Sequence, residues 1–363
     1  MFFRVVIFDI MGKLRTSILL FIGIFLYSSA IAQKPFIFQN KSIEPGTKKY
    51  FKIPVLNKKD STFIPVTVFH GSKSGPVLGI TAGIHGYEYP PILAAQQLNQ
   101  KIDPQQLSGT IIMVQVANMP GFLGRTPNLN PLDDKNLNRT FPGNATGSIT
   151  ERMAHTITNE IISKSDYFVD MHAGDAPEDL HSYNAWYHCD ALPKVSQEGK
   201  EMALSMGFDY MIRFNVSKER LQKPSLYCSQ EAFHRKIPAV DIECGRLGIP
   251  GKEETDQILK SMFSLFKYLQ IMSSKYTSST NKTSIIEERF TIKSNSTGIF
   301  YSYRKAGDII KKGESVGYIT DLFGKTLEEI KAPKDGIILY MIGTPPINKD
   351  ETIMSAGILS KEL

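Results

Sequence analysis

This chain has little cysteine, a single tryptophan and no dense block of either charge. Its three cysteines, Cys189, Cys228 and Cys244, fit no zinc-finger spacing, which excludes a thiolate-clipped structural metal module. An oxidising compartment allows one disulfide, with Cys189–Cys228 the favoured pair, and three buried free thiols are the equal alternative. The formal charge is +6 without a basic cluster, so nucleic-acid binding is unsupported. No long low-complexity tract is present, and a hydrophobic content of 42% is that of an ordinary globular protein. A length of 363 residues suffices for one large domain and a smaller one.

The first residues read as an export signal. Met11 to Arg15 forms a basic start, Thr16 to Ser29 an apolar stretch, and Ala30-Ile31-Ala32 a small-residue cleavage site. Residues 1–10 are also apolar, which makes Met11 an alternative start. The apolar stretch is short for a bilayer span, so a cleaved signal over 1–32 is expected rather than a retained anchor. No cysteine lies near the cleavage site, which argues against a lipid anchor. Cleavage removes Arg4, Lys13, Arg15 and Asp9, and the charge falls from +6 to +4. The expected product is an exported protein, periplasmic or secreted, with no stable membrane span.

Residues 33–75 read as a β region in which Thr62 to Phe69 partly alternates, and Gly71 to Gly75 as a turn. Apolar strand runs then alternate with helical segments. The strands are Val77–Ala82, Thr110–Ala117, Tyr167–Met171 and Ala239–Glu243; the helices are Pro91–Gln100, Ile149–Lys164, Leu192–Met206, Leu226–Lys236 and Glu253–Ile271. Ser148 and Glu151 form a capping-box pattern, and Met153, Ile157 and Ile161 follow helical spacing. Strands without polar alternation imply burial on both faces, hence a mixed sheet flanked by helices. Residues 33–274 are therefore read as an α/β domain and the polar stretch 275–284 as a linker. Residues 285–363 turn to β and repeat at an offset of 38, in the pairs Ile292/Ile330, Gly298/Gly336 and Ile309/Ile347. Two interlocked halves predict a small all-β sandwich. With Ala306 to Gly313 and Ala332 to Gly336, this segment resembles the biotinyl/lipoyl barrel-sandwich domains. Lys325 lacks the methionine-flanked setting of a modified carrier lysine, so a carrier role is not expected.

The chemistry gathers around His85. It follows the apolar strand Val77–Ala82 and precedes Glu88 by three residues, a spacing that lets both close on one divalent cation. Asp170-Met171-His172 ends another strand with a second imidazole. Two His and one Glu form the ligand set of catalytic zinc, which leaves a fourth position for water. Taken singly, each has a plainer reading: a loop histidine for His85, a hydrogen-bonded strand end for His172. Asp170 and His172 share a strand face, so Asp170 is a candidate to orient the imidazole, or an acid paired with another donor. Asn138 and Arg139 supply donors suited to a carboxylate, although Arg139 alone also reads as a structural ion-pair partner. Arg125, in the same loop, is a cation suited to an oxyanion. Glu243 closes a strand before Cys244-Gly245, a place suited to a general base or simply to a solvated strand end.

Together the motifs 83–88 (GIHGYE), 125–143 (RTPNLNPLDDKNLNRTFPG), 170–180 (DMHAGDAPEDL) and 238–245 (PAVDIECG) resemble the succinylglutamate desuccinylase/aspartoacylase group of zinc carboxypeptidase-like hydrolases. The resemblance implies one zinc per chain held by His85, Glu88 and His172, and Glu243 as base and proton shuttle. It implies that Arg125 polarises the scissile carbonyl and that Asn138 and Arg139 grip a substrate carboxylate. The chain departs from the group at Tyr87, where Asp is usual, and at Asp241, where Thr is frequent. Asp241 stands two residues from Glu243, and its charge would raise that residue's pKa. The implied activity is hydrolysis of N-acyl amino acids or related small amides. The rivals are a metallocarboxypeptidase acting on peptides or cell-wall fragments and a non-catalytic module that keeps the metal. Acyl group, amino-acid side chain and oligomeric state are not legible.

Overall fold

The computed structural model describes residues 33–273 and 282–359. The export signal read over 1–32 and linker residues 275–281 lie outside the described residues.

A hairpin of β1 (Phe36–Phe38) and β2 (Lys41–Ile43) precedes the antiparallel pair β3 (Thr47–Leu56) and β4 (Ser61–His70). Then come β5 (Lys73–Ala82), α1 (Tyr89–Lys101), β6 (Ser108–Val114) and the short α2 (Met119–Gly124). They are followed by α3 (Ile149–Glu160), β7 (Tyr167–His172), β8 (Glu178–Leu180), β9 (Tyr183–His188) and α4 (Pro193–Ser205). β10 (Tyr210–Asn215), α5 (Cys228–His234), β11 (Ala239–Glu243), α6 (Lys252–Tyr268) and β12 (Ser284–Ile286) complete this part. Among the described residues, nine strands join in the order β12-β10-β9-β11-β7-β5-β6-β4-β3. β5, β6, β7 and β11 run parallel at its centre, while β9 is antiparallel to β11 and β4 to β6.

The sheet buries both faces, as its unbroken apolar strands require. On one side Ala94 and Leu98 of α1, Met202 of α4, and Ile258, Met262, Leu265 and Phe266 of α6 pack against Leu78, Ile80 and Val240. On the other, Met153 and Ile157 of α3 and Ala232 and Phe233 of α5 pack against Val66, Ile112 and Phe168. α3 starts as its sequence indicates, with the Glu151 carboxylate accepting from Ser148 N–H at 2.7 Å. It ends at Glu160, and residues 162–164 form a separate 3-10 turn. Two other expectations are corrected. Residues 73–75 belong to β5 rather than to a turn, and the strand expected over Thr110–Ala117 stops at Val114 because Ala117 already pairs with Ala82 as a connector.

The C-terminal strands are β13 (Arg289–Lys293), β14 (Gly298–Ser302), β15 (Ile309–Ile310), β16 (Ser315–Thr320), β17 (Thr326–Lys331), β18 (Gly336–Ile342), β19 (Pro346–Ile347) and β20 (Thr352–Gly357). They form two sheets, β13-β20-β18-β15 and β17-β16-β14-β19. Exchanging each strand for the one four places away converts one order into the other, so the repeat in the sequence is an interlocked pair of half-sandwiches. Phe300, Ile310, Val316, Ile319, Ile330, Ile338 and Ile353 fill the space between them.

Two strands tie this sandwich to the large sheet. β12 pairs in parallel with β10, so Ser284, read as linker, belongs to the edge of the large sheet. β8 leaves the loop after His172 and pairs with β18, Leu180 opposite Tyr340 and Glu178 opposite Ile342. Leu180, Tyr183, Ile212, Ile286, Ile337 and Leu339 bury the junction. All three cysteines are buried and free, so the Cys189–Cys228 disulfide is absent. No helix among the described residues is long and apolar enough to cross a membrane.

Candidate active site

The chemistry sits at the C-terminal ends of the parallel strands, where side chains leave a buried sheet for a crevice. β5 runs out at Ala82, and Gly83 (φ +67°) turns the chain with a backbone conformation that glycine adopts readily. At Gly86 a Cβ would come within 2.1 Å of Phe122 N, so only glycine lets this loop lie against α2. Glu88 then stands at the N-cap of α1, whose start is set by Pro90. β7 ends at His172 and β11 at Glu243, and these two are direct neighbours across the parallel strands.

His85, Glu88 and His172 converge. His85 Nδ1 is 2.7 Å from Glu88 Oε1, and His172 Nδ1 is 3.0 Å from Oε2. One donor atom from each lies within 4.8 Å of the others. Glu88 and His172 are 3% and 4% exposed, too buried for a solvated ion cluster.

The remaining ring nitrogens settle the tautomers. Asn136 Oδ1 accepts Asn138 N–H at 2.8 Å, so it is the amide oxygen, and His85 Nε2, at 3.1 Å from it, must donate. His172 Nε2 donates to Asp170 Oδ2 at 2.9 Å, and Thr81 Oγ1 donates to Asp170 Oδ1 at 2.6 Å. With both Nε2 atoms protonated, each Nδ1 directs a lone pair at the carboxylate. A cation or added protons must sit between them. The charges agree. Burial opposes the charged forms of both imidazoles, yet Glu88 raises His85, and Asp170 and Glu88 raise His172 well above its ordinary range. Burial would raise Glu88, but the two imidazoles outweigh it and hold the carboxyl below its usual range. The donor set, two neutral imidazole lone pairs and a carboxylate braced from behind by a carboxylate and an amide, fits a zinc ion.

These three side chains line a cavity of about 530 Å³, the size of a small-molecule site. Asn138, Arg139, Asp241 and Glu243 line it too. Burial drives the Glu243 carboxyl well above its ordinary pKa; His172 opposes this, and Glu88, Asp241 and Glu178 add to it. Asn138 Oδ1 accepts Cys228 N–H at 2.9 Å, which pins the 137–139 turn to the start of α5. Its Nδ2 is 3.5 Å from His172 Nε2, whose proton is committed to Asp170, so the amide donors remain for the cavity. The Arg139 guanidinium lies 4.6 Å from the Tyr227 ring centroid and donates to Asn138 O at 2.7 Å.

Arg125 is not brought to this wall. It is the exposed C-cap of α2, with left-handed backbone (φ +53°), and does not line the cavity. Tyr87 is also outside, its ring tilted against that of Tyr89 with centroids 5.1 Å apart. Lys325 lies in the exposed β16–β17 turn, its N–H bonded to Asp321 Oδ1.

The lining contains groups that the sequence did not single out. Arg289, Leu339, Tyr340 and Ser355 come from the C-terminal sandwich, brought by the β8–β18 pairing. Tyr183, Tyr187 and Ser229 come from β9 and α5. Beside His85, Glu88 and His172 stand two more acids. Glu178 lines the cavity, and Asp175 is fully buried with no hydrogen-bond partner for either carboxylate oxygen. Burial, Glu178 and Glu88 raise Asp175 to about 7, against an opposing pull from His85. The density of acids in 170–180 was the available signal for these two; nothing local marks Tyr340 or Arg289.

Residues 74–269 match the family described as the succinylglutamate desuccinylase/aspartoacylase catalytic domain. N-alpha-acetyl-L-2,4-diaminobutyric acid deacetylase of Halomonas elongata is 25% identical over 314 residues, covering 84% of this chain and 89% of that protein. The product-bound ectoine utilization protein EutE of Ruegeria pomeroyi superposes with a TM-score of 0.79 at 20% identity, over 90% of this chain and 99% of the other. A succinylglutamate desuccinylase/aspartoacylase structure from Rhodobacter sphaeroides gives 0.77 at 21% identity, over 86% and 96%. At these identities the two structures speak for the fold alone. The family match spans more than half of the sequence and covers His85, Glu88, His172 and Glu243: this chain belongs to the succinylglutamate desuccinylase/aspartoacylase family.

Proposed function

We propose that this chain is an exported zinc hydrolase that cleaves the amide bond of small N-acyl amino acids. The carrying observation is the convergence of His85 Nδ1, Glu88 and His172 Nδ1 beside Glu243 on the wall of one cavity. When bound, zinc supplies a Lewis acid that polarises a carbonyl and brings the pKa of water towards about 7.

The chain's own groups do the rest. Glu243 takes a proton from the attacking water, whose oxygen bonds to the acyl carbon. As the C–N bond breaks, Glu243 returns that proton to the leaving nitrogen, so that a carboxylic acid and an amine result. Burial raises its pKa above the ordinary carboxylate range, which strengthens it as a proton acceptor. Asn138 Nδ2 and Arg139 face the substrate carboxylate. Arg125 would serve as oxyanion partner in a substrate-bound form with its side chain turned inward from the exposed end of α2. The export signal read in 1–32 would carry the enzyme across the cytoplasmic membrane.

A carboxypeptidase would use the same ligands. The cavity of about 530 Å³, walled on one side by Tyr340 and Arg289 of the sandwich, favours a small amide over an extended peptide. The purified chain, loaded with zinc, is expected to release amine from N-acetyl amino acids, to lose this with a chelator and to regain it with zinc. Cleavage of dipeptides with all N-acyl amino acids left intact would replace this reading with the peptidase.

A further inference from the structure

Asp241 is a cavity carboxylate that the proposed hydrolysis does not use. It precedes Glu243 by two residues on β11, lines the same cavity and is 6% exposed. Oδ2 accepts Tyr187 O–H at 2.9 Å, and the Tyr187 hydroxyl lies 2.8 Å from Ser229 Oγ. Oδ1 is buried and has no hydrogen-bond partner. Its neighbour across the strands, Asp170, is occupied by Thr81 and His172 and offers only like charge. A buried acceptor left open costs stability unless a donor arrives. Tyr187 and Ser229 also line the cavity, so the acid is part of its wall rather than of the core. Arg139 lines the same cavity with the opposite charge.

We propose that Asp241, framed by Tyr187 and Ser229, is a subsite for a cation and selects N-acyl amino acids whose side chain ends in a primary ammonium. This rests on the deacylase reading. The substrate's α-carboxylate meets Arg139 and its side-chain ammonium meets Asp241, which fixes the molecule at two points of opposite charge. A neutral side chain of equal length leaves the buried oxygen open, and an acidic one meets like charge.

The test compares kcat/KM of the zinc-loaded enzyme on Nα-acetyl 2,4-diaminobutyrate, ornithine and lysine with that on Nα-acetyl norvaline, norleucine and 2-aminoheptanoate, which carry a methyl in place of each ammonium. The expected cationic-to-neutral ratio is roughly tenfold to a hundredfold. It should collapse towards one in Asp241→Asn and in Asp241→Thr, whereas damage to the fold lowers both substrate classes and keeps the ratio. A wild-type ratio near one, or a ratio unchanged in both variants, overturns the subsite and leaves the deacylase reading standing. Calorimetry of the free amino acids on Glu243→Gln separates the other case. Binding of the diamino acids alone, with no hydrolysis by the wild type, supports the subsite and overturns the deacylase reading. Absence of both hydrolysis and binding overturns both.

Discussion

His172 Nε2 donates to Asp170 Oδ2 at 2.9 Å, and this bond determines which ring nitrogen faces Glu88. With the proton held on Nε2, the Nδ1 lone pair is free to join those of His85 and Glu88. Thr81 and the β7 backbone hold Asp170 in place, so the orientation of the ring is inherited from the sheet.

Asp170→Asn should therefore disturb the metal site without touching the metal. The amide can donate to Nε2 and shift the proton to Nδ1. Zinc affinity, measured by competition with a chelating dye, is expected to fall by about 10- to 100-fold. Unchanged affinity would show that His172 holds its tautomer without Asp170.

Glu243→Gln keeps the shape of the wall and removes the proton carrier. Zinc content should stay stoichiometric while kcat falls by about 10²- to 10⁴-fold. Normal turnover in the zinc-loaded variant would remove Glu243 from the reaction.

Asp175 supplies a pH dependence of stability. Its folded pKa is raised to about 7 from 3.8, so the folded state resists losing this proton. Below about pH 4 the acid is neutral in folded and unfolded chains and costs nothing. Between about pH 4 and 7 the unfolded chain ionises first and stability drains away, to an upper bound of about 4 kcal/mol. Asp175→Asn should therefore raise the melting temperature of metal-free protein at pH 8 and change it little at pH 4. An equal shift at both pH values would mean that the carboxyl is not the cause.

The legible part of this protein was local. The central strands, the helices that flank them and the 38-residue repeat all follow from spacing within one segment, because burial on two faces or on one stripe leaves a period in the chain. The strands Tyr183–His188 and Tyr210–Asn215 escaped because tyrosine, histidine, asparagine and arginine break the apolar run that marked the others. Their partners in the sheet, rather than their own pattern, make them strands.

The sequence alone determined the donor types, the strand ends that carry them and the family they imply. Only the tertiary structure decided which nitrogen of each imidazole faces the carboxylate, that Arg125 lies off the cavity wall, and that the C-terminal sandwich helps to wall the site. The reason is physical. A strand end or a helix start is set by neighbours in the chain, whereas a tautomer is set by a partner in space, and the β8–β18 pairing is a bond between segments that share no local signal.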